Sequence, residues 1–306
     1  MPNKRNLAIV IPADKSTFLP AALDSIAAQS CQEFTLYIGD DCSPNNIGEI
    51  VDRYRDKINL VYKRFETNLG GKDLVAQWER CIDMTQDEEW LWLFSDDDVM
   101  EEKCVEEFYN SLDEKTEFYH FNLKICDEEG NVTKIPPLYP NIIDTKYFIE
   151  NHLFKGLTNA VVEFIFSRNL YLKAGKFQNY DLAWGSDFIT WVKFSVCNGN
   201  ITTIPCCYVY WRLSSQNISP QNSHDIIIRK LRSIVENYKT LRSIFHNINM
   251  NYSFKYDLII FKQLYRNKHI ISKNDGDELL YYYYRLQKYK IRYWLFRLMW
   301  IFAKIK

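Results

Sequence analysis

At 306 residues the chain can form one large α/β domain with an appended element, or two modest domains, and its 47% hydrophobic and 16% aromatic content excludes a disordered linker or tail. The net charge of −1 conceals an asymmetry: residues 225–306 carry 17 Lys/Arg against 6 Asp/Glu, +11, which leaves −12 for the rest. An acidic body with a basic end is suited to phosphates, on nucleic acid or on lipid headgroups.

The first segment, MPNKRNLAIVIP, has no long apolar stretch of the secretory type and runs directly into a strand pattern, which predicts a cytoplasmic body. The eight cysteines lack CxxC pairs or His neighbours at zinc-ligand spacing and read as reduced, mostly buried thiols. Leu7 to Ile11 is a short apolar run closed by Pro12, as in a buried parallel strand. Phe18 to Ala28 has helical spacing, Phe34 to Ile38 is a strand ending at Asp40-Asp41, and Ile47 to Tyr54 is a helix. A strand over Leu60 to Lys63, a helix over Leu74 to Met84 and a very apolar strand over Trp90 to Phe94 follow.

That last strand stops at Ser95-Asp96-Asp97-Asp98, and a helix is predicted over Val99 to Tyr109. Alternating strands and helices imply a parallel, doubly wound sheet, whose ligands bind beyond the carboxyl ends of the strands. Both acidic clusters, Asp40-Asp41 and Asp96 to Asp98, fall there. From Phe118 to Pro205 short strands (Phe118 to Ile125, Ile201 to Ile204) mix with helical stretches such as Asp187 to Val196. After Ser223 the pattern is helical over Ile226 to Phe245, Phe254 to Tyr265, and Asp277 to the C-terminus.

Adjacent carboxylates repel one another unless a cation or a very polar setting compensates. With oxygen ligands and no nearby His or Cys, Asp96 to Asp98 favours Mg²⁺ or Mn²⁺ bridging to a diphosphate. The same tripeptide also suits an acidic turn capping a helix, and Asp40-Asp41-Cys42-Ser43 equally suits an N-cap. Two such clusters at the ends of neighbouring strands are harder to explain as caps than either alone.

These motifs resemble the family-2 glycosyltransferases of GT-A fold over roughly residues 5–220. Asp40-Asp41-Cys42-Ser43 matches the family's Asp-Asp-Gly-Ser, and Asp96-Asp97-Asp98 its DxD. Asn68-Leu69-Gly70 with Trp78, Arg80 and Cys81 resembles the stretch before the DxD strand in one branch, and Trp184-Gly185-Ser186-Asp187 its Glu-Asp motif with Ser186 in the Glu position. The resemblance implies an α/β fold: a GT-A, Rossmann-like domain with a mostly parallel sheet over 1–223 (1–117 for the nucleotide sugar, 118–223 for the acceptor), then a basic helical region over 224–306. It also implies that Asp40 meets the base, Asp96 the ribose and Asp98 a divalent Mn²⁺ or Mg²⁺. By the same resemblance Pro12, Asp41, Asn68, Gly70 and Asp97 are expected to complete the donor site, Arg212 to pair with phosphate oxygens, and Asp187 to be the general base. Ser214 stands where many relatives have a His, which removes one possible metal ligand.

The expected activity is an inverting transfer from a nucleotide-diphosphate sugar, UDP-sugar favoured, to a glycan or lipid-linked acceptor of a cell-surface polysaccharide. The alternatives are a metal-dependent nucleotidyltransferase, of which Gly70-Gly71-Lys72 is a faint echo, and an inactive nucleotide-sugar-binding scaffold. Arg285 to Lys306 holds seven Lys/Arg and no acid, with Ile291, Trp294, Leu295, Leu298, Phe302 and Ile305 at helical spacing. This helix is predicted to lie on an anionic membrane, at the inner face of the cell membrane, or to pack on the body. No nucleic-acid-binding motif is present.

Overall fold

The computed structural model describes residues 7–251, 253–284 and 290–305. The chain divides into two compact units, one formed by residues up to 178 with 190–214, the other by 179–189 with those from 215 onward.

The first unit opens with β1 (Leu7–Ala13), α1 (Leu19–Ala27), β2 (Phe34–Asp40), α2 (Ile47–Asp52), β3 (Leu60–Arg64), α3 (Leu74–Ile82) and β4 (Trp90–Leu93). β1 is apolar throughout and its side chains are buried on both faces of the sheet, while parallel β2 and β4 pair its two edges. α3 starts where Asp73 accepts the Ala76 N–H, and it buries Val75, Trp78, Cys81 and Ile82 at helical spacing.

The remainder is β5 (Val99–Met100), α4 (Cys104–Asn110), β6 (Phe118–Cys126), β7 (Val132–Lys134), β8 (Ile142–Asp144), α5 (Thr145–Glu150), β9 (Phe164–Ser167), α6 (Arg168–Lys173), α7 (Ser186–Asn198), whose residues 186–189 count with the second unit, and β10 (Asn200–Arg212). The sheet runs β3-β2-β1-β4-β9-β6-β10-β5. β3 to β4 are parallel as expected, and β6 pairs with β10 in parallel. Between these blocks β9 lies antiparallel to both β4 and β6. The helix predicted from Val99 begins instead as β5, since Val99 and Met100 pair with Tyr210 and Val209. Beneath the sheet Trp92 stacks on Phe121 at 5.3 Å and donates its indole N–H to the Val162 carbonyl.

In the second unit α8 (His224–Asn247), α9 (Phe254–Arg266), α10 (Lys273–Tyr284) and α11 (Lys290–Ile305) follow one another. The helical pattern predicted from Asp277 to the C-terminus is carried by α10 and α11; residues 285–289 of the predicted stretch lie outside the described residues. Gly276 is the physical reason that α11 can fold back on α10: a Cβ there would stand 2.2 Å from the Trp300 ring. The Trp300 indole donates to the Lys273 carbonyl, and Phe296 stacks on Phe254 and Tyr284. Asp257 is buried, accepting from Tyr283 and Arg292 at 2.7 and 2.8 Å. Among the described residues no helix is long and apolar enough to cross a membrane.

Candidate active site

The parallel register sets the site of the first unit, because it brings the carboxyl ends of β1, β2 and β4 level. Ala13 lies opposite Asp40, and Pro12 opposite Gly39. Just past β1, the N–H groups of Asp14 and Lys15 donate to Asp96 Oδ2 at 2.9 and 2.8 Å, tying that strand end to the aspartate run.

Asp40 is fully buried and uses both oxygens inside the protein. Oδ1 accepts the Ser43 N–H at 2.8 Å, and Oδ2 accepts from the Tyr62 hydroxyl at 2.6 Å and Arg64 Nη1 at 2.8 Å. Asp41 gathers the loop before α3: Oδ1 accepts the Leu69 N–H at 2.7 Å and an Arg80 guanidinium N–H, and Oδ2 accepts the Gly70 N–H at 2.8 Å. Glycine is required there, since a Cβ on residue 70 would meet Asp41 Oδ2 at 2.8 Å. Asn68 Nδ2 reaches Asp14 Oδ1 at 3.3 Å, so the Asn68 to Gly70 stretch joins the same crevice.

Asp96, Asp97 and Asp98 are all buried. Lys15 Nζ lies 2.5 Å from Asp97 Oδ2 and 3.6 Å from Asp96 Oδ1, and Ser95 Oγ donates to Asp97 Oδ1. Asp98 Oδ1 accepts the Arg212 N–H at 2.7 Å. Burial pushes the Asp96 carboxyl up to about 6 against the pull of Lys15, and burial together with the Asp97 charge pushes Asp98 well above the carboxylate range. Burial works against the Lys15 charge, but Asp96 and Asp97 outweigh it and hold the ammonium above its ordinary range.

Arg212 is tied to the backbone of the site. Its Nε donates to the Asp97 carbonyl at 2.8 Å and its Nη1 to the Asp127 and Glu128 carbonyls at 3.0 and 2.8 Å. Buried in this way, it acts as a strut that fixes the backbone carrying Asp97 and Asp98. Ser214, where relatives have His, is also buried.

The donor chemistry fits a hard divalent cation: buried, crowded carboxylate oxygens whose charge already attracts a protein ammonium. Among the described residues no three His, Cys, Asp or Glu side chains form a ready cage. A cation held by Asp98 would take phosphate oxygens and water as further ligands.

Asp187 belongs to the second unit, in the first turn of α7. Burial pushes its carboxyl up to about 6, opposed by the N–H groups of Phe188 and Asp187. Gly185 supplies a φ of +79° just before it. Ser186 Oγ accepts the Tyr180 N–H at 3.0 Å, so the serine in the family's Glu position is a local structural hydroxyl. Asn237 Nδ2 donates to the Trp184 carbonyl at 3.1 Å, and Lys230 Nζ sits 4.4 Å over the Trp184 ring while donating to the carbonyls of Ile218, Ser219 and Gln221.

The sequence reading missed Lys15, Tyr62 and Arg64 in the first unit, and Lys230 and Asn237 in the second. For Arg64 the signal is strand register, which sets it opposite Asp40. For α8 it is the polar spacing Lys230, Ser233, Asn237, three and four residues apart and all buried.

Comparison with known proteins places these motifs in a family. Residues 8–173 match the model of Glycosyl transferase family 2. Poly(ribitol-phosphate) beta-N-acetylglucosaminyltransferase TarS of Staphylococcus aureus is 31% identical over 111 residues, which are 35% of this chain and 19% of that protein. The crystal structure of S. aureus TarS 1-349 in complex with UDP-GlcNAc gives a TM-score of 0.58 at 18% identity, covering 98% of this chain and 81% of that one. The mannosyltransferase PcManGT from Pyrobaculum calidifontis, in complex with GDP-Man and Mn²⁺, gives 0.52 at 13% identity, covering 98% and 86%. The chain thus spans about a fifth of the length of the curated TarS protein, while its fold follows GT-A enzymes along nearly all of its own length. With more than half of its residues matching the family model around the aspartate clusters, the chain belongs to glycosyl transferase family 2.

Proposed function

We propose that the protein transfers a sugar, with inversion, from a nucleotide-diphosphate sugar to a glycan or lipid-linked acceptor in cell-surface polysaccharide assembly. A UDP-sugar is favoured because the TarS structure similar to this chain holds UDP-GlcNAc. The observation that carries the reading is the convergence of Asp40, Asp41, Asn68, Gly70 and Asp96 to Asp98 at the carboxyl ends of β1, β2 and β4.

In this reading Asp40, with Tyr62 and Arg64, forms the base end of the donor site. Asp96 has two backbone N–H groups on Oδ2 and turns Oδ1 to a ribose hydroxyl. Asp98 holds the divalent cation, Mn²⁺ or Mg²⁺, which when bound offsets charge on the diphosphate leaving group. Asp187 accepts the acceptor hydroxyl's proton as that oxygen bonds to the anomeric carbon and the bond to the diphosphate breaks. A carboxyl at about 6 is a stronger base than an ordinary aspartate and stays ionised at neutral pH. The test is a donor panel with Mn²⁺ or EDTA, followed by product analysis. Released nucleoside diphosphate supports glycosyl transfer, pyrophosphate would mean nucleotidyl transfer, and no turnover with any donor would leave a binding scaffold.

α11 supports a second statement, that the enzyme works peripherally on the cytoplasmic face of an anionic membrane. Phe296 and Trp300 are buried, yet Ile291, Trp294 and Phe302 are 86%, 54% and 67% exposed, and Leu295 and Leu298 complete the outward stripe. So large an apolar patch exceeds what single scattered surface residues leave open. The eight cysteines are all free thiols, which supports a reducing compartment.

A further inference from the structure

The strand-end aspartates carry a counter-ion of their own. Lys15 approaches them twice: its N–H donates to Asp96 Oδ2 at 2.8 Å, and its ammonium reaches Asp97 Oδ2 at 2.5 Å and Asp96 Oδ1 at 3.6 Å. This clamps the end of β1 to the turn after β4. Arg212, whose Nε donates to the carbonyl of Asp97 in that turn, directs the rest of its guanidinium to the carbonyls of Asp127 and Glu128. Within the carboxylate pocket, neutralisation therefore falls to a side chain on a flexible four-carbon stem that is only partly buried.

We propose that Lys15 is a resident counter-ion which a divalent cation must push aside, and which then turns to the diphosphate, so that cation and nucleotide bind cooperatively. The proposal rests on the reading of Asp96 to Asp98 as the cation site. Its physics is Coulombic. An ammonium within a few ångströms of the carboxylates repels an incoming dication strongly in a pocket sheltered from water, and the same charge, once displaced, finds new partners only if phosphate oxygens are present. Cation alone then binds weakly, and nucleotide diphosphate and cation strengthen each other by the same factor.

The experiment measures Mn²⁺ affinity of the full chain by electron paramagnetic resonance, with and without UDP, for wild type, Lys15→Met and Lys15→Arg. Lys15→Met keeps the stem and removes the charge; it is expected to bind Mn²⁺ alone at least about tenfold tighter than wild type and to lose most of the strengthening by UDP. Lys15→Arg is expected to resemble wild type, which separates charge from packing. Unchanged or weaker Mn²⁺ affinity in Lys15→Met overturns the proposal, as does an undiminished UDP effect. Asp98→Asn distinguishes the two levels. If it abolishes Mn²⁺ binding while Lys15→Met has no effect, only the role of Lys15 falls; if the tight site of Lys15→Met survives Asp98→Asn, the cation assignment falls with it.

Discussion

Replacing Asp187 by Asn separates chemistry from stability, because the carboxyl proposed as the general base is held in a setting that disfavours its charge. The side chain titrates at about 6 against an ordinary 3.8. Between those two pH values the folded protein holds a proton that the unfolded chain has released, so stability falls as pH rises through the interval and stays low above it. A gap of about two pH units at ~1.4 kcal/mol each makes ionised Asp187 about 3 kcal/mol unfavourable to folding at pH 7.5. Asp187→Asn removes the charge and keeps the shape. Its Tm at pH 7.5 is expected to rise by several degrees, a gain that shrinks as the pH is lowered towards 4, while kcat falls by ~10² or more with UDP affinity nearly preserved. In the wild type, kcat/KM should decline as pH drops through about 6, where the base takes up its proton. Differential scanning fluorimetry across pH, beside steady-state kinetics, reads both quantities. A mutant with near wild-type kcat, or one whose Tm gain persists unchanged at pH 4.5, refutes the assignment.

Asp98→Asn should abolish turnover and weaken Mn²⁺-assisted donor binding without lowering Tm; unchanged activity in EDTA would remove the cation from the reaction. Gly185→Ala should cost about 2 kcal/mol or more in thermal unfolding, since a Cβ at φ +79° would stand 2.0 Å from Asn237 Nδ2, and a neutral result would contradict that backbone geometry. Truncation after Tyr284 is a poor test of the tail, because it would also remove Phe296, Trp300 and the Arg292 partner of buried Asp257. Trp294→Ser, Leu298→Ser and Phe302→Ser together, all on the exposed stripe, should instead reduce co-sedimentation with anionic liposomes by at least about tenfold without lowering Tm. With Arg292 on Asp257 and Arg297 3.6 Å from Asp277, salt should loosen the binding less than seven free charges would predict. Absence of liposome binding at low salt would sink the membrane reading.

What could be read from the sequence follows from the range over which each signal acts. β1, β2 and β4 declare themselves locally, because strands buried on both faces read as nearly continuous apolar runs, and the aspartates where such runs stop are conspicuous. Strand direction is a long-range property. Phe164–Ser167 is short and apolar whichever way it runs, so nothing local discloses that β9 enters antiparallel between β4 and β6. The partners of the site residues divide along the same line. Asp41 with Gly70 was legible as two motifs, but that one carboxylate secures the other loop through two N–H bonds depends on tertiary placement. Lys15 lies in a run, Ala13 to Ser16, with no periodicity to mark it, and only the parallel register of β1 with β4 brings its ammonium to Asp97. Arg212 was legible only for its chemistry, since arginine suits phosphate, while its hydrogen bonds to the carbonyls of Asp127 and Glu128 depend on tertiary placement. The Arg212 backbone N–H on Asp98 Oδ1 and its Nε on the Asp97 carbonyl fix where Asp98 points, and the cation site proposed there depends on that direction.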